Sequence, residues 1–275
     1  MPTVHVGEVD LYYETHGDGP PLLMINGLGS SVEMWSPFWR RMAERYTVIL
    51  FDNRGVGRST VPEAPYSIAN MAGDAAGLLA TLGIPSAFVY GASMGGQIAQ
   101  SLVLDFPQRV RALVLGMTTC GGKHAVLPAP DTMARLSRLA SVPPGLAAQE
   151  ILWSVEYTPE YLENHRGLLE QEATAVRYPT SPIGFRRQAE ASMGFDSYER
   201  LPSIRVPTLV MAGSRDTLMR PENARLIADR IPGARLYIVE GAGHGLTREK
   251  PDESVRVILD FLSRVEASAA SPSAG

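Results

Sequence analysis

The chain has 275 residues, of which 45% are hydrophobic and 20% charged, with a formal net charge of −4 and a sequence pI near 5.8. This composition supplies a large apolar core and gives no reason to expect binding to nucleic acid or to an anionic membrane. The single cysteine excludes an intrachain disulfide, and no targeting or membrane-spanning segment is evident, so we expect a cytoplasmic protein.

Strand and helix patterns alternate along the amino-terminal part of the chain. Short apolar runs bounded by turn residues predict buried strands, and apolar residues at helical spacing between them predict helices. This alternation implies βαβ crossovers and a mostly parallel sheet with helices on both faces. The predicted strands are 9–14, 21–26, 47–52, 87–91 and 110–116, and the predicted helices are 35–45, 68–82 and 97–106.

The pattern changes after the strand that ends at residue 116. Over 121–202 the strand signals vanish, and Pro, Met, Leu, Arg and Glu dominate the composition, which favours a helical insertion. Strands are predicted again at 207–213 and 235–239, followed by an amphipathic helix over 252–265. The final run, 267–275, is small and polar with nothing to bury, which predicts a flexible tail.

Ser93 stands at the apex of a glycine-rich turn between a strand and a helix, in the run Gly91-Ala92-Ser93-Met94-Gly95-Gly96. So tight a turn strains its central residue and pushes the serine hydroxyl out above the sheet edge. Glycine suits positions 91 and 95 because side chains there would collide with the neighbouring strand or helix. The alternative is an ordinary βα turn whose serine caps the helix.

An acid and a base follow later strands at the same predicted sheet edge. Asp216 comes just after the strand 207–213, and His244 lies in a glycine-rich loop after the strand 235–239. Active sites of open parallel sheets form at the carboxyl ends of the strands, so these side chains are candidates to act with Ser93. Two other acids lie in or beside the insertion but follow no predicted core strand, so Asp216 is preferred over them: Asp131 and Asp196.

With these motifs in the order Ser93, Asp216, His244, the chain resembles the α/β-hydrolase superfamily over nearly its whole length. It is similar to bacterial carboxylesterases and enol-lactonases. The resemblance implies an α/β fold with a mostly parallel eight-stranded sheet flanked by helices, and a helical cap inserted after the sixth strand. The implied domains are a core of 1–120 and 203–266 and a cap of 121–202.

The segment 22–31 resembles the family's strand and oxyanion loop, with Asn26 where a histidine usually stands. By this resemblance the oxyanion hole is formed by the backbone N–H groups of Leu28 and Met94. Because these donors belong to the main chain, Asn26 does not remove one, and its side chain can hold the loop by local hydrogen bonds. The next strand and turn of the family match 48–59, whose polar residues we expect to be structural: Asp52, Arg54 and Ser59.

These roles predict a serine hydrolase that cleaves a small carboxylic ester or lactone through an acyl-enzyme. His244 would accept the Ser93 proton, and Asp216 would fix the imidazole tautomer. No cofactor is expected, and no metal, since the five histidines show no ligand spacing. The oligomeric state stays open, because one sequence displays no recognisable interface.

The same three residues also serve other chemistry. A hydrolase of carbon–carbon bonds and a cofactor-free perhydrolase remain alternatives within the enzyme class. A slow-turnover ligand sensor of the same fold is an alternative outside it. A serine at position 93, rather than an aspartate, argues against the haloalkane dehalogenase and epoxide hydrolase branches of the superfamily.

Overall fold

The computed structural model describes residues 2–35, 37–143 and 145–270. Its eight strands are β1 (Thr3–Val6), β2 (Val9–His16), β3 (Pro21–Ile25), β4 (Thr47–Phe51), β5 (Ala87–Ala92), β6 (Val110–Gly116), β7 (Thr208–Gly213) and β8 (Arg235–Val239). They form one sheet in the order β1-β2-β4-β3-β5-β6-β7-β8. β2 pairs antiparallel with β1 and β4, and all other neighbouring pairs are parallel. The predicted mostly parallel eight-stranded sheet is confirmed.

β1 is the strand that the apolar runs did not locate. It is four residues long, and its side chains alternate between exposed and half-buried, so it carries no buried apolar run. The central strands were recognisable in the sequence because both of their faces are covered, which makes each of them a continuous apolar run. In β3, for example, Leu23 and Ile25 face one apolar cluster, while Leu22 and Met24 face the other.

Helices on both faces of the sheet bury these two clusters. One face is covered by α2 (Ile68–Thr81), α3 (Met94–Asp105) and α8 (Pro221–Arg230). The other is covered by α1 (Phe38–Met42) and α10 (Pro251–Ala270), with the short helix α9 (Leu246–Glu249) just before α10. No helix in the described ranges is long and apolar enough to cross a bilayer.

The helical segment between β6 and β7 contains α4 (Pro130–Ser137), α5 (Leu146–Glu156), α6 (Pro159–Ala175) and α7 (Pro182–Met193). We call residues 121–202 the insertion. Proline at the first position of α4, α6 and α7 sets where these helices begin, since that position needs no N–H. A bridge between Gly121 and Asp196 joins the two ends of the insertion. Its place after the sixth strand is as predicted.

The last helix is longer than predicted. α10 continues through Ala270 and so includes the first residues of the predicted tail 267–275. Its apolar face is anchored on the sheet by buried residues such as Val255, Ile258 and Leu262, and the alanines that follow are strong helix formers. Residues 271–275 lie outside the described ranges.

Candidate active site

Ser93 lies between the end of β5 and the start of α3 with the strained backbone that the turn predicts. Its φ of 56° and ψ of −121° are rare for a residue with a side chain. The turn is held by its main chain, because Ser93 N–H donates to Gly116 O at 2.9 Å and Ser93 O accepts from Thr118 Oγ1 at 2.7 Å. The hydroxyl makes no capping hydrogen bond to α3. The alternative reading as a helix N-cap is therefore not what the structure has.

The glycines of the turn allow close approach of three backbone segments. A Cβ at Gly95 would lie 2.7 Å from Asn26 O, and one at Gly91 would lie 2.8 Å from the Ala99 Cβ. Gly27 is also close, since a Cβ built there would lie 3.3 Å from the Ser93 Cβ. The loop after β3 thus lies directly against Ser93.

Asp216 and His244 form a buried hydrogen-bonded pair. His244 Nδ1 lies 2.8 Å from Asp216 Oδ2, and the two residues are 8% and 3% exposed, respectively. The other carboxylate oxygen, Oδ1, accepts from the N–H groups of Leu218 at 2.9 Å and Met219 at 2.8 Å. Because both oxygens of Asp216 are engaged, its carboxylate is fixed in orientation, and so is the imidazole ring that it faces.

The charges around His244 raise the pKa of its imidazole. Burial alone would lower that pKa, but the carboxylates of Asp216 and Glu156 outweigh the effect of burial. Glu156 ends α5 in the insertion, and its own pKa is raised by burial, against the opposing effects of His244 and Arg248. Its carboxylate has no hydrogen-bond partner in the described part of the chain.

Ser93 and the acid–base pair share one edge of the sheet. They follow β5, β7 and β8, three parallel strands whose carboxyl ends meet there. No hydrogen bond joins the Ser93 hydroxyl to His244 among the residues described. The structure therefore brings Asp216 and His244 together in a hydrogen bond and places Ser93 at the same sheet edge.

The loop 26–31, which we call the oxyanion loop after the family segment it resembles, is held by side chains at its two ends. Asn26 Oδ1 accepts from Gly27 N–H at 2.9 Å, and its Nδ2 donates to Ser31 O at 3.1 Å. Just beyond the loop, Asp52 Oδ1 accepts from Val32 N–H at 2.6 Å. Asn26 and Asp52 thus hold the loop locally, as expected. The N–H of Leu28, by contrast, donates to no protein atom in the described ranges.

The other two acidic candidates are both exposed. Asp131 is exposed in the first turn of α4, and Asp196 is exposed with its Oδ1 accepting from Tyr198 N–H at 3.0 Å. Neither is hydrogen-bonded to His244. Across the described residues, no group of three or more His, Cys, Asp or Glu side chains is placed to hold a metal ion.

Residues of the insertion that no sequence motif marks also contact the site. Gln188 in α7 accepts from Gly29 N–H at 2.9 Å, and Thr180 Oγ1 donates to Gly29 O at 2.7 Å. On the other side, Thr158 Oγ1 donates to Glu249 Oε2 at 2.6 Å. The sequence carried no signal for these contacts, because the partners lie far apart in the chain, 159 positions in the case of Gly29 and Gln188.

The eight-stranded sheet and the glycine-rich serine turn define an α/β hydrolase. Residues 20–251 match the family model described as alpha/beta hydrolase fold, and the chain belongs to this family.

Named relatives cover almost the whole chain. It is 35% identical over 267 residues to "Putative carbamate hydrolase RutD" of Azorhizobium caulinodans, covering 97% of this chain and 100% of the relative. It is 30% identical over 264 residues to 3-oxoadipate enol-lactonase 2 of Acinetobacter baylyi, covering 95% and 96%. The crystal structure of the enol-lactonase from Burkholderia xenovorans LB400 superposes with a TM-score of 0.83 at 28% identity, covering 95% of this chain and 100% of that one. The chain is thus a hydrolase of this family.

Proposed function

We propose that this hydrolase cleaves carboxylic esters or lactones, with Ser93 as nucleophile, His244 as general base and Asp216 as the group that orients it. The observation that carries this proposal is the buried Asp216–His244 hydrogen bond of 2.8 Å. It lies at the sheet edge where Ser93 is held with a positive φ. An acid, a base and a half-buried serine in this arrangement suit acyl transfer.

The first half of the reaction forms an acyl-enzyme. Asp216 accepts a hydrogen bond from Nδ1–H of His244, which keeps the proton on Nδ1 and leaves Nε2 able to take the Ser93 proton as the hydroxyl attacks the acyl carbon. The negative charge that develops on the carbonyl oxygen is bound by the N–H groups of Leu28 and Met94. Met94 opens α3, so the positive end of that helix dipole adds to the stabilisation.

Departure of the leaving group completes the acyl-enzyme, and hydrolysis in the second half then releases the acid and restores the serine. As the tetrahedral intermediate collapses, the imidazolium of His244 gives its proton to the leaving oxygen, and the acyl group remains on Ser93. His244 then takes a proton from water as the water attacks the acyl carbon. When this second intermediate collapses, the bond between Ser93 Oγ and the acyl carbon breaks, and His244 returns the proton to Ser93 Oγ. With a lactone, the leaving alcohol stays attached to the acyl group, and the product is a single hydroxy acid.

The insertion is proposed to act as a cap that covers the site and selects the substrate. Its contacts with the oxyanion loop, through Thr180 and Gln188 to Gly29, support this role. Carbamate hydrolysis is a second candidate, favoured by the relative of that name at 35% identity. A carbamate presents an acyl carbon that the same serine can attack, so the proposed machinery is unchanged.

Substrate class is tested by turnover of matched compounds. We expect multiple turnovers with p-nitrophenyl esters of graded chain length, and hydrolysis of at least one of a γ-lactone, an enol-lactone or an N-unsubstituted carbamate. Product is measured against enzyme concentration, with Ser93→Ala as the control. A burst of one product molecule per chain followed by a stall would contradict the proposed enzymatic function and favour the ligand sensor.

The pH dependence tests the charges around the imidazole. Ser93 is activated only while His244 is neutral, so the raised pKa places the loss of kcat/KM on acidification at a higher pH than an ordinary histidine would. Removing the negative charge of Glu156 with Glu156→Gln lowers the His244 pKa, and we expect the acid limb of kcat/KM to move to lower pH.

Glu160→Gln provides the matched control, because Glu160 is also in the insertion but is exposed and pairs with Arg215. Its acid limb should coincide with that of the unchanged protein. If Glu156→Gln leaves the acid limb in place or moves it to higher pH, the assigned coupling between Glu156 and His244 is wrong.

A further inference from the structure

The loops that carry the base and the oxyanion donor lie outside the sheet. His244 follows β8, which is three places from β5 in the sheet, so at a spacing of about 4.8 Å its loop must reach back across about 14 Å to serve Ser93. Leu28 lies in the loop after β3, which is also without ladder hydrogen bonds. Both loops therefore need other contacts to keep their geometry.

The insertion holds the oxyanion loop by hydrogen bonds to Gly29, the residue after Leu28. Gln188 is fully buried, and its Oε1 accepts from Gly29 N–H at 2.9 Å while its Nε2 donates to Arg54 O at 2.8 Å. Thr180 Oγ1 donates to Gly29 O at 2.7 Å. Both polar groups of the Gly29 main chain thus bind side chains of the insertion, which fixes the peptide next to the Leu28 amide.

The loop 240–245, which carries His244 and which we call the histidine loop, is likewise held by hydrogen bonds on both sides of His244. Glu249 Oε1 accepts from Gly243 N–H at 3.0 Å, and Glu249 Oε2 accepts from Thr158 Oγ1 at 2.6 Å. After the histidine, Gly245 N–H donates to Glu156 O at 2.8 Å. One carboxylate therefore ties the residue before His244 to the insertion, and a main-chain bond ties the residue after it.

We propose that the insertion positions both halves of the catalytic machinery, with Gln188 holding the oxyanion loop and Glu249, through Thr158, holding the histidine loop. Both are positioning residues, since they act on the reacting groups through Gly29 and Gly243. The inference rests on the proposed serine-hydrolase function. It adds that the segment covering the site also sets the placement of the oxyanion donor and of the base.

The first arm of the test replaces Gln188 by a residue of similar volume that makes no such hydrogen bonds. Losing an oxyanion donor lowers kcat about 10²- to 10³-fold. Gln188→Met should only displace the Leu28 N–H, so we expect kcat to fall about 10- to 100-fold and KM to change less than about threefold. Gln100→Met is the matched control. Gln100 is also fully buried, and its side chain accepts from Ser197 Oγ of the insertion and donates to Gly96 O and Thr119 O, none of which belongs to either loop.

The second arm separates the shape of Glu249 from its charge. Glu249→Ala removes the bonds to Gly243 and Thr158 and should lower kcat about 10-fold or more, since displaced catalytic groups cost up to about 10²-fold. Glu249→Gln keeps an acceptor for Gly243 N–H and should restore most of the rate. Glu172→Ala is the control, because it breaks the link from Arg248 on α9 to α6 but leaves Gly243 alone.

Amide hydrogen exchange gives a readout that does not depend on activity. Faster exchange is expected in 26–31 for Gln188→Met, in 240–245 for Glu249→Ala, and in neither loop for the two controls. If Gln188→Met does not fold, Thr180→Val removes the bond to Gly29 O and takes its place. Unchanged kcat and exchange, or equal losses in the controls, would overturn the proposal. Failure of the proposed serine-hydrolase function is a different result: the protein without substitutions would then show no turnover, whatever the exchange data show.

Discussion

Ser93→Ala should lower kcat about 10⁶-fold, since removing the nucleophile of a serine hydrolase costs about as much as removing its whole triad. Only the oxyanion donors and substrate binding remain to accelerate the reaction. The fold should be retained, because the turn is held by the main chain of Ser93 and not by its hydroxyl. Rates on a p-nitrophenyl ester and labelling by a fluorophosphonate measure the loss.

Ser93→Gly is the companion variant, because it removes the same hydroxyl and also relieves the strain at φ 56°. We expect it to be as inactive as the alanine variant but more stable to unfolding by about 1 kcal/mol, the lower end of the cost of such a backbone. Thermal denaturation of the two variants checks this difference. Fluorophosphonate labelling that persists in either variant would remove Ser93 from the mechanism.

Asp216→Asn should lower kcat about 10⁴-fold with little change in KM. An asparagine amide can present its NH₂ group to Nδ1 of His244, which favours the tautomer with its proton on Nε2, where Ser93 needs an acceptor. The amide oxygen can still accept from the N–H groups of Leu218 and Met219, so the local turn should persist. Steady-state kinetics at the pH optimum measure the effect.

Asp131→Asn and Asp196→Asn are the matched controls for this variant. Both acids belong to the insertion and are exposed, so their rates should stay close to that of the unchanged protein. A near-normal rate for Asp216→Asn, or a large loss in either control, would assign the acid to another residue.

The elements that flank Ser93 could be predicted from the sequence because their signals are local. A buried strand is an apolar run, a tight turn needs its glycines, and a helix shows its spacing, so the turn at Ser93 was located with its strand and helix. The short strand β1 was not predicted, because its half-exposed side chains form no apolar run. The end of α10 was placed too early, because its last residues extend the helix by helix propensity alone.

The sequence by itself determined the fold, the order of Ser93, Asp216 and His244, and their place at one sheet edge, because parallel strands bring their carboxyl ends together whatever joins them. Only the tertiary structure decided that Asp216 is hydrogen-bonded to His244 at 2.8 Å, that Gln188 binds the oxyanion loop and that Glu249 binds the histidine loop. The physical reason is that the contacts of His244 with Asp216, of Gly29 with Gln188 and of Thr158 with Glu249 join residues 28, 159 and 91 positions apart. No local periodicity records which side chains will meet over such separations.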